Sequence, residues 1–408
     1  MFLSKGVDAL MKKIILKSVA VFMAVVVGAG LLYHNELYRL YKVVYLFEES
    51  NIVDNFQNMT EFFPYSTIDK GNAKHQFEIS PKPLIKSVKF QGEDFDIETL
   101  LQSTNTTGFI VIKDEKIIHE YYALGNTIDG LNISWSLNKS FVSALIGIAL
   151  EEGLIASVED PITLYVEQLK GSGYDGVSIK NILQMSSGVV FNEDYVDFNS
   201  DINRMGRVIA LGSSINEFAA TLQAGKPAGQ YHHYVSMDTQ VLGILLKQVT
   251  GKTPSEYLEE KIWSKLGMRS NARWLIDDMG MELVFGTLNA TLRDYARFGQ
   301  LYLNQGNWQG QQIIPENWVK DSITPDAAHL MPGDNEKSSS RFGYGYQWWL
   351  PPEHEGDFLG RGVYGQYIYV NPEKNVVIAR TAANPHWRAG DKTSQVMVKM
   401  FQEIARSL

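Results

Sequence analysis

The sequence predicts an α+β fold: an antiparallel sheet flanked by helices, with a second, mostly helical lobe. Three observations carry that expectation. β-rich runs lie at both ends of the globular part, "GFIVIKDEKIIHEYYALG" at 108–125 and "RGVYGQYIYVNP" with "NVVIARTA" after residue 360. Between them, residues 155–275 keep helical apolar spacing, broken by turns such as "KGSGYDG" and "QAGKPAGQ". Last, "DKTSQVMVKMFQEIARSL" reads as a closing amphipathic helix.

Composition narrows the function. At 408 residues, with 45% hydrophobic and 20% charged side chains, the chain has length and apolar content for a substantial core. A formal net charge of −9 and the lack of a Lys/Arg cluster exclude a nucleic-acid surface. With 0 cysteines there is no thiol nucleophile, disulfide or Cys-based zinc site, and none of the 8 histidines falls into a metal-binding spacing. No metal and no cofactor is expected.

Taken in order, the elements begin with "MKKIILKSVAVFMAVVVGAGLLY" at 11–33, where Lys12, Lys13 and Lys17 precede an uncharged apolar run. This reads as an anchor or export signal, with the basic end in the cytoplasm and the rest exported. Residues 1–50 are expected to hold that segment and a juxtamembrane helix, in an inner-membrane-anchored protein with its globular part in the periplasm. Small residues at Val27-Gly28-Ala29 would allow cleavage and secretion instead. Met11, followed by two lysines, reads as a natural start, with residues 1–10 as an upstream extension.

Residues 51–84 are polar and aperiodic, a linker or wrapping arm, and the globular unit runs over 85–408. Its α/β lobe takes about 85–154 and 276–408, and the helical lobe about 155–275. The run at 108–125 forms a hairpin around Lys113-Asp114-Glu115-Lys116, and a helix follows that ends at Gly153. In 288–323 a helical pattern, a Gly-Asn turn and a second helix opening at Pro315 succeed one another; "FGYGYQWWL" adds a strand, and the final pair turns at Asn371-Pro372.

Three patches carry chemistry. In "NISWSLNKSFVSALIGIALEEG" (132–153), Ser136 and Lys139 stand three apart at the start of an apolar helix, so hydroxyl and amine share a face. A lysine desolvated there loses its proton near neutrality and becomes a base for the serine, while free amides at the helix start stabilise an oxyanion. In "PAGQYHHYVSMDTQ", Tyr234 and Ser236 form a Tyr-x-Ser pair feeding another helix. A phenol near a lysine ammonium has a lowered pKa and can shuttle a proton to a leaving group. In "FLGRGVYGQYIYVNPEKNVVIAR", Gly360, Gly362 and Gly365 open a strand and let a substrate approach its edge.

This order, with "VSIKNILQMSSGV" (177–189), "GTLNATLRDYARFGQLYLNQGNW" and "GYGYQWWL", resembles the penicillin-recognising serine hydrolases over roughly residues 85–408. It looks most like the class C branch and the 6-aminohexanoate-dimer hydrolase group. The resemblance implies the β-lactamase/transpeptidase-like fold and an acyl-enzyme on Ser136, with Lys139 as base and Tyr234 protonating the leaving group. It implies further that Ser236 holds these two and that the backbone N–H groups of Ser136 and Val363 form the oxyanion hole.

Departures shape the substrate. Where many relatives carry Lys-Thr-Gly or His-Thr-Gly, this chain has Gly360-Arg361-Gly362, and Arg361 alternates to the opposite strand face. A small amide or ester is therefore expected as substrate before a β-lactam or peptidoglycan. A β-lactamase or DD-peptidase, and a non-catalytic cell-wall peptide-binding protein, are the alternatives. Tyr195 and Asp194 in "FNEDYVDFNSD", together with Gly362, Gly365, Gln366 and Trp349, are expected to line the cleft; of Trp348 and Trp349, one belongs to the core.

Overall fold

The computed structural model describes residues 2–387 and 392–408. It opens with helix Phe2–Leu32, whose 22-residue stretch Met11–Leu32 is unburied, and long and apolar enough to cross a membrane. After Tyr33 the chain resumes as helix His34–Val44, which docks on the body. Arg39, 7% exposed, donates to the Ala210 carbonyl at 3.2 Å and forms a two-pronged ion pair with Asp278 at 2.6 and 2.8 Å.

The central sheet has eight strands, in the order Gly343–Tyr344, Trp349–Leu350, Phe358–Gly362, Gln366–Asn371, Val376–Ala382, Thr106–Lys113, Lys116–Tyr122, Glu78–Ile79. All neighbours are antiparallel except the last pair, so the expected antiparallel sheet is mixed at one edge. That strand comes from the arm 51–84, which is tied into both of the larger sheets: its Tyr65–Ile68 pairs with Ala272–Leu275 in a four-stranded one. The hairpin at 108–125 turns on Asp114 and Glu115, both at positive φ (51° and 61°), as a two-residue turn between twisted strands requires.

Two layers of helix cover the central sheet. Helix Leu292–Leu303 packs on one face, and Gly299 permits this, since a Cβ there would stand 2.7 Å from Ile368 and Val377. Phe298 of that helix stacks at 3.6 Å on Phe141 of helix Lys139–Glu151, which lies almost wholly inside and packs in turn against helix Ser236–Thr250. Helix Lys392–Ser407 covers the other face through Phe401, stacked on Phe109. The expected start of that helix at Asp391 lies outside the described residues.

The run 361–372 is not one strand. It breaks at Val363–Gly365 into a hairpin between Phe358–Gly362 and Gln366–Asn371, with Tyr364 at φ 62° and Gly365 at φ 94°. The physical reason is Arg380 beneath the turn. Its guanidinium donates to the Gly365 carbonyl at 2.8 Å, so close that a Cβ on residue 365 would meet it at 2.2 Å.

Candidate active site

Ser136 lies in a 3-10 turn, Trp135–Asn138, and the α-helix proper starts only at Lys139, which corrects the expected helical first turn. The turn is held by Trp135, at φ 45°, whose ring is wedged among Phe47, Phe56 and Tyr364. A 3-10 turn eclipses residues three apart, so the serine and lysine still meet: Lys139 Nζ is 3.3 Å from Ser136 Oγ. The segment Val284-Phe285-Gly286 cradles the turn from below. Asn138 donates to the Val284 carbonyl and Lys139 to the Phe285 carbonyl, while a Cβ on Gly286 would reach the Trp135 backbone at 3.0 Å.

Lys139 is 1% exposed and, among the described residues, touches no carboxylate; its amine also meets Ser236 Oγ at 3.4 Å. Burial lowers its pKa to about 7, against the pull of Glu193 and Asp238 in the other direction. At neutral pH a large share of this amine is therefore unprotonated and able to accept the Ser136 proton. Its ammonium form is met by the ring of Tyr234, with Nζ 5.3 Å from the ring centre.

Tyr234 departs from expectation. Its pKa is raised, by burial first and the Glu193 charge second, with the Ser136 hydrogen bond and Arg361 pulling the other way. The phenol therefore stays protonated, which suits a proton donor rather than a phenolate base. Its ring stacks on Trp349 at 5.5 Å, and Trp348 is the fully buried member of the pair.

Glu193 is the functional candidate that sequence reasoning passed over. Ser236 donates to it twice, from Oγ at 2.5 Å and from its backbone N–H at 3.1 Å, and the Tyr195 hydroxyl donates at 3.1 Å. The carboxylate thus caps the N-terminus of helix Ser236–Thr250 while steering the hydroxyl that faces Lys139. The acidic stretch "FNEDYVDFNSD" contained it; only its neighbours Asp194 and Tyr195 stood out there.

Around these groups opens a cleft of about 500 Å³, bounded by Ser136, Glu193, Tyr195, Tyr234, Trp349 and Trp387. Val363 and Gly362 form its strand edge. A Cβ on Gly362 would stand 2.4 Å from the Ser134 carbonyl, so only glycine brings that edge against the turn that carries Ser136. Gly365 lines the cleft as part of the hairpin turn. Asp194 sits exposed at the mouth, its carboxylate accepting from the Val196 amide at 2.8 Å. Arg361 also borders the cleft, held to Ser394 Oγ at 2.8 Å and lying over Trp349.

Gln366 does not join them. It is buried at 1% exposure and turned into the sheet, where its amide nitrogen donates to the Ala382 carbonyl and its amide oxygen accepts from the Ala382 N–H. A larger concavity of about 860 Å³, between residues 70–77 and Arg269, Arg293 and Arg297, shares no residue with the cleft. Its arginines are already paired with Asp129, Glu120 and Asp294.

A hydroxyl, a desolvated amine and a protonated phenol around one apolar cleft form the equipment of acyl transfer through serine. The Beta-lactamase family profile matches residues 97–397. The chain belongs to the beta-lactamase family. Within it, the chain is 30% identical to the 6-aminohexanoate-dimer hydrolase of Paenarthrobacter ureafaciens over 305 residues, covering 72% of this chain and 77% of that one. A solved structure from Bacillus anthracis, described as a candidate 6-aminohexanoate-dimer hydrolase, superposes with a TM-score of 0.80 at 25% identity, over 89% of this chain and 95% of that one. A class C beta-lactamase shares the fold, with a TM-score of 0.55 at 18% identity over 75% and 93% of the two chains. This member of the beta-lactamase family is thus a serine hydrolase by kinship.

Proposed function

We propose that the protein is a membrane-anchored serine hydrolase that cleaves a small amide or carboxylic ester through an acyl-enzyme on Ser136. The contact of Ser136 Oγ with Lys139, an amine whose pKa burial brings to about 7, is the observation that carries this reading. Neutral Lys139 accepts the Ser136 proton as Oγ attacks the carbonyl carbon, and the backbone N–H groups of Ser136 and Val363 hold the resulting oxyanion. The tetrahedral intermediate collapses as the Tyr234 phenol donates its proton to the leaving nitrogen or oxygen. Lys139 then returns a proton to Tyr234, which leaves an ester on Ser136. Water, giving its proton to the same relay, attacks that ester and frees Ser136 with the carboxylic acid.

Amide cleavage is favoured by the likeness to an enzyme named for a linear amide dimer. A β-lactam is disfavoured, because Gly360-Arg361-Gly362 stands where many relatives carry Lys-Thr-Gly or His-Thr-Gly, and Arg361 turns to Ser394 of helix Lys392–Ser407. Lys12, Lys13 and Lys17 ahead of the uncharged apolar run support a cleft outside the cytoplasm. Intact mass of the full chain after incubation with a fluorophosphonate tests the nucleophile: one adduct, lost in Ser136→Ala with the fold unchanged, is the expected result. An equal adduct in the variant, or none in the folded wild type, overturns it. A parallel sample with penicillin, expected to stay unmodified, separates the β-lactam alternative.

A further inference from the structure

The apolar helix and the cleft are joined by structure rather than by a flexible tether. From Leu32 to Arg39 there are seven residues, about 10 Å of helix, and Arg39 is locked to Ala210 and Asp278. Eight residues further on, Phe47 stacks on Tyr364 at 5.1 Å. Tyr364 meets Trp387 at 5.4 Å, and Trp387 meets Tyr195 at 5.7 Å. The juxtamembrane segment therefore ends in the aromatic wall of the cleft itself.

Large apolar residues are exposed along this connection, and of these Phe198 carries the Arg207 guanidinium on its ring, 4.0 Å from the centre. Leu211 and Met279, each next in sequence to an anchor point of Arg39, are 63% and 64% exposed. Val196 and Phe198, in the loop that carries Glu193 and Tyr195, are 77% and 69% exposed. Leu37, Tyr41 and Val44 form an exposed stripe on helix His34–Val44, which packs along helix Asp201–Ala210. Scattered exposed apolar side chains need no explanation; a run of them from the loop of the cleft residue Tyr195, along helix Asp201–Ala210, to the helix that follows the apolar span does.

We propose that the mouth of the cleft is seated on the bilayer that holds helix Met11–Leu32, and that the substrate is an ester or amide carried by an amphiphile of that bilayer. The inference rests on the anchor reading above for its first half and on the hydrolase reading for its second. The bilayer is the fitting occupant because the anchored helix already fixes the rim beside it, and a partly inserted apolar rim beside a span is held there at little further entropic cost. An acyl chain leaving the bilayer would pass Val196 and Phe198 and meet the Tyr195–Trp387–Tyr364 wall. Asp194 and Asp197 in the same loop, with Arg207 over the Phe198 ring, give a rim of mixed charge that suits a zwitterionic surface.

Because the chain has no cysteine, a single one can be placed and labelled cleanly. Phe198→Cys and Leu211→Cys, carrying an environment-sensitive dye on the full chain in phosphatidylcholine vesicles, are expected to show blue-shifted emission and quenching by nitroxide lipids. Glu98→Cys, on the short helix Ile97–Ser103 that packs with Phe109 and Phe401 on the other face of the central sheet, should show neither. Phe198→Ser is expected to lower kcat/KM about tenfold on a long-chain acyl ester in the vesicles and to leave a short water-soluble ester unchanged. Dyes at 198 and 211 that behave like the one at 98 overturn the proposal, as does burial without lipid quenching, which would assign the rim to a second copy of the chain. Equal loss on both esters overturns the substrate half. Wild-type protein inactive on both esters, with the dyes still quenched, would sink the hydrolase reading instead and leave the bilayer contact standing.

Discussion

Lys139 and Arg297 are both buried cations, and the contrast between their surroundings separates the chemical part of this molecule from the structural part. Arg297, 3% exposed, donates to Asp294 at 2.9 Å and to the His75 carbonyl at 3.1 Å. Burial draws its pKa down while Asp294 draws it up, and a guanidinium in such a pair remains charged. Lys139 has hydroxyls, a carbonyl and an aromatic face around it, with Glu193 reached only through Ser236. A buried cation given a direct carboxylate becomes a clamp; one given only neutral partners is driven toward its neutral form and becomes a base.

Removing the base tests the first side and carries the largest expected effect. Lys139→Met should lower kcat on any substrate by about 10³-fold or more while the chain still folds. Its stability should change with an unusual sign. The native pKa, about 7, lies below the unfolded value, so between these pH values the unfolded chain binds the extra proton and wild-type stability rises with pH. Below about pH 7 the wild type bears the full cost of burying an ammonium. Thermal unfolding should therefore show Lys139→Met ahead of wild type at pH 6, with the gain shrinking toward pH 10. A variant that keeps its activity would remove Lys139 from the reaction.

The other side predicts the converse. Arg297→Met leaves Asp294, fully buried, with only Thr291 and the amides of Arg269 and Ser270, and should cost about 3–5 kcal/mol of stability in denaturant unfolding. Turnover per folded molecule should stay within about twofold, the two sites sharing no contact partner. A loss of turnover with stability intact would erase the contrast.

Much of this was legible in the sequence because it depends on local spacing. Ser136 and Lys139 come together on a three-residue repeat whichever helix type forms, and the hairpin at 108–125 follows from alternation and its turn. What stayed hidden depends on partners far along the chain. Arg380 bends 363–365 into a hairpin turn from 15 residues away, and Ala382 draws Gln366 into the sheet from 16, so neither the broken strand nor the inward glutamine shows in the local pattern. The sign of the Tyr234 shift needed the depth of burial and the position of Glu193, 41 residues earlier by sequence number. Glu193 itself was one of several acidic residues in a polar loop, and its role appears only once Ser236 stands against it.

Glu193 gives the smallest effect and the sharpest test, because it links a carboxyl to the Lys139 region through Ser236 without touching the lysine. Its charge raises the Lys139 pKa, whereas burial raises its own. Glu193→Gln keeps an acceptor for Ser236 and removes the charge, so Lys139 should lose its proton more easily. The acid limb of the kcat against pH curve should then move to lower pH, with maximal kcat reduced by less than about 10²-fold, the scale of one hydrogen bond to a charged group. A purely structural cap on helix Ser236–Thr250 would change stability and leave that limb in place. An unmoved limb would show that the carboxyl is already protonated where the enzyme works, and that the burial of Lys139 alone makes it a base.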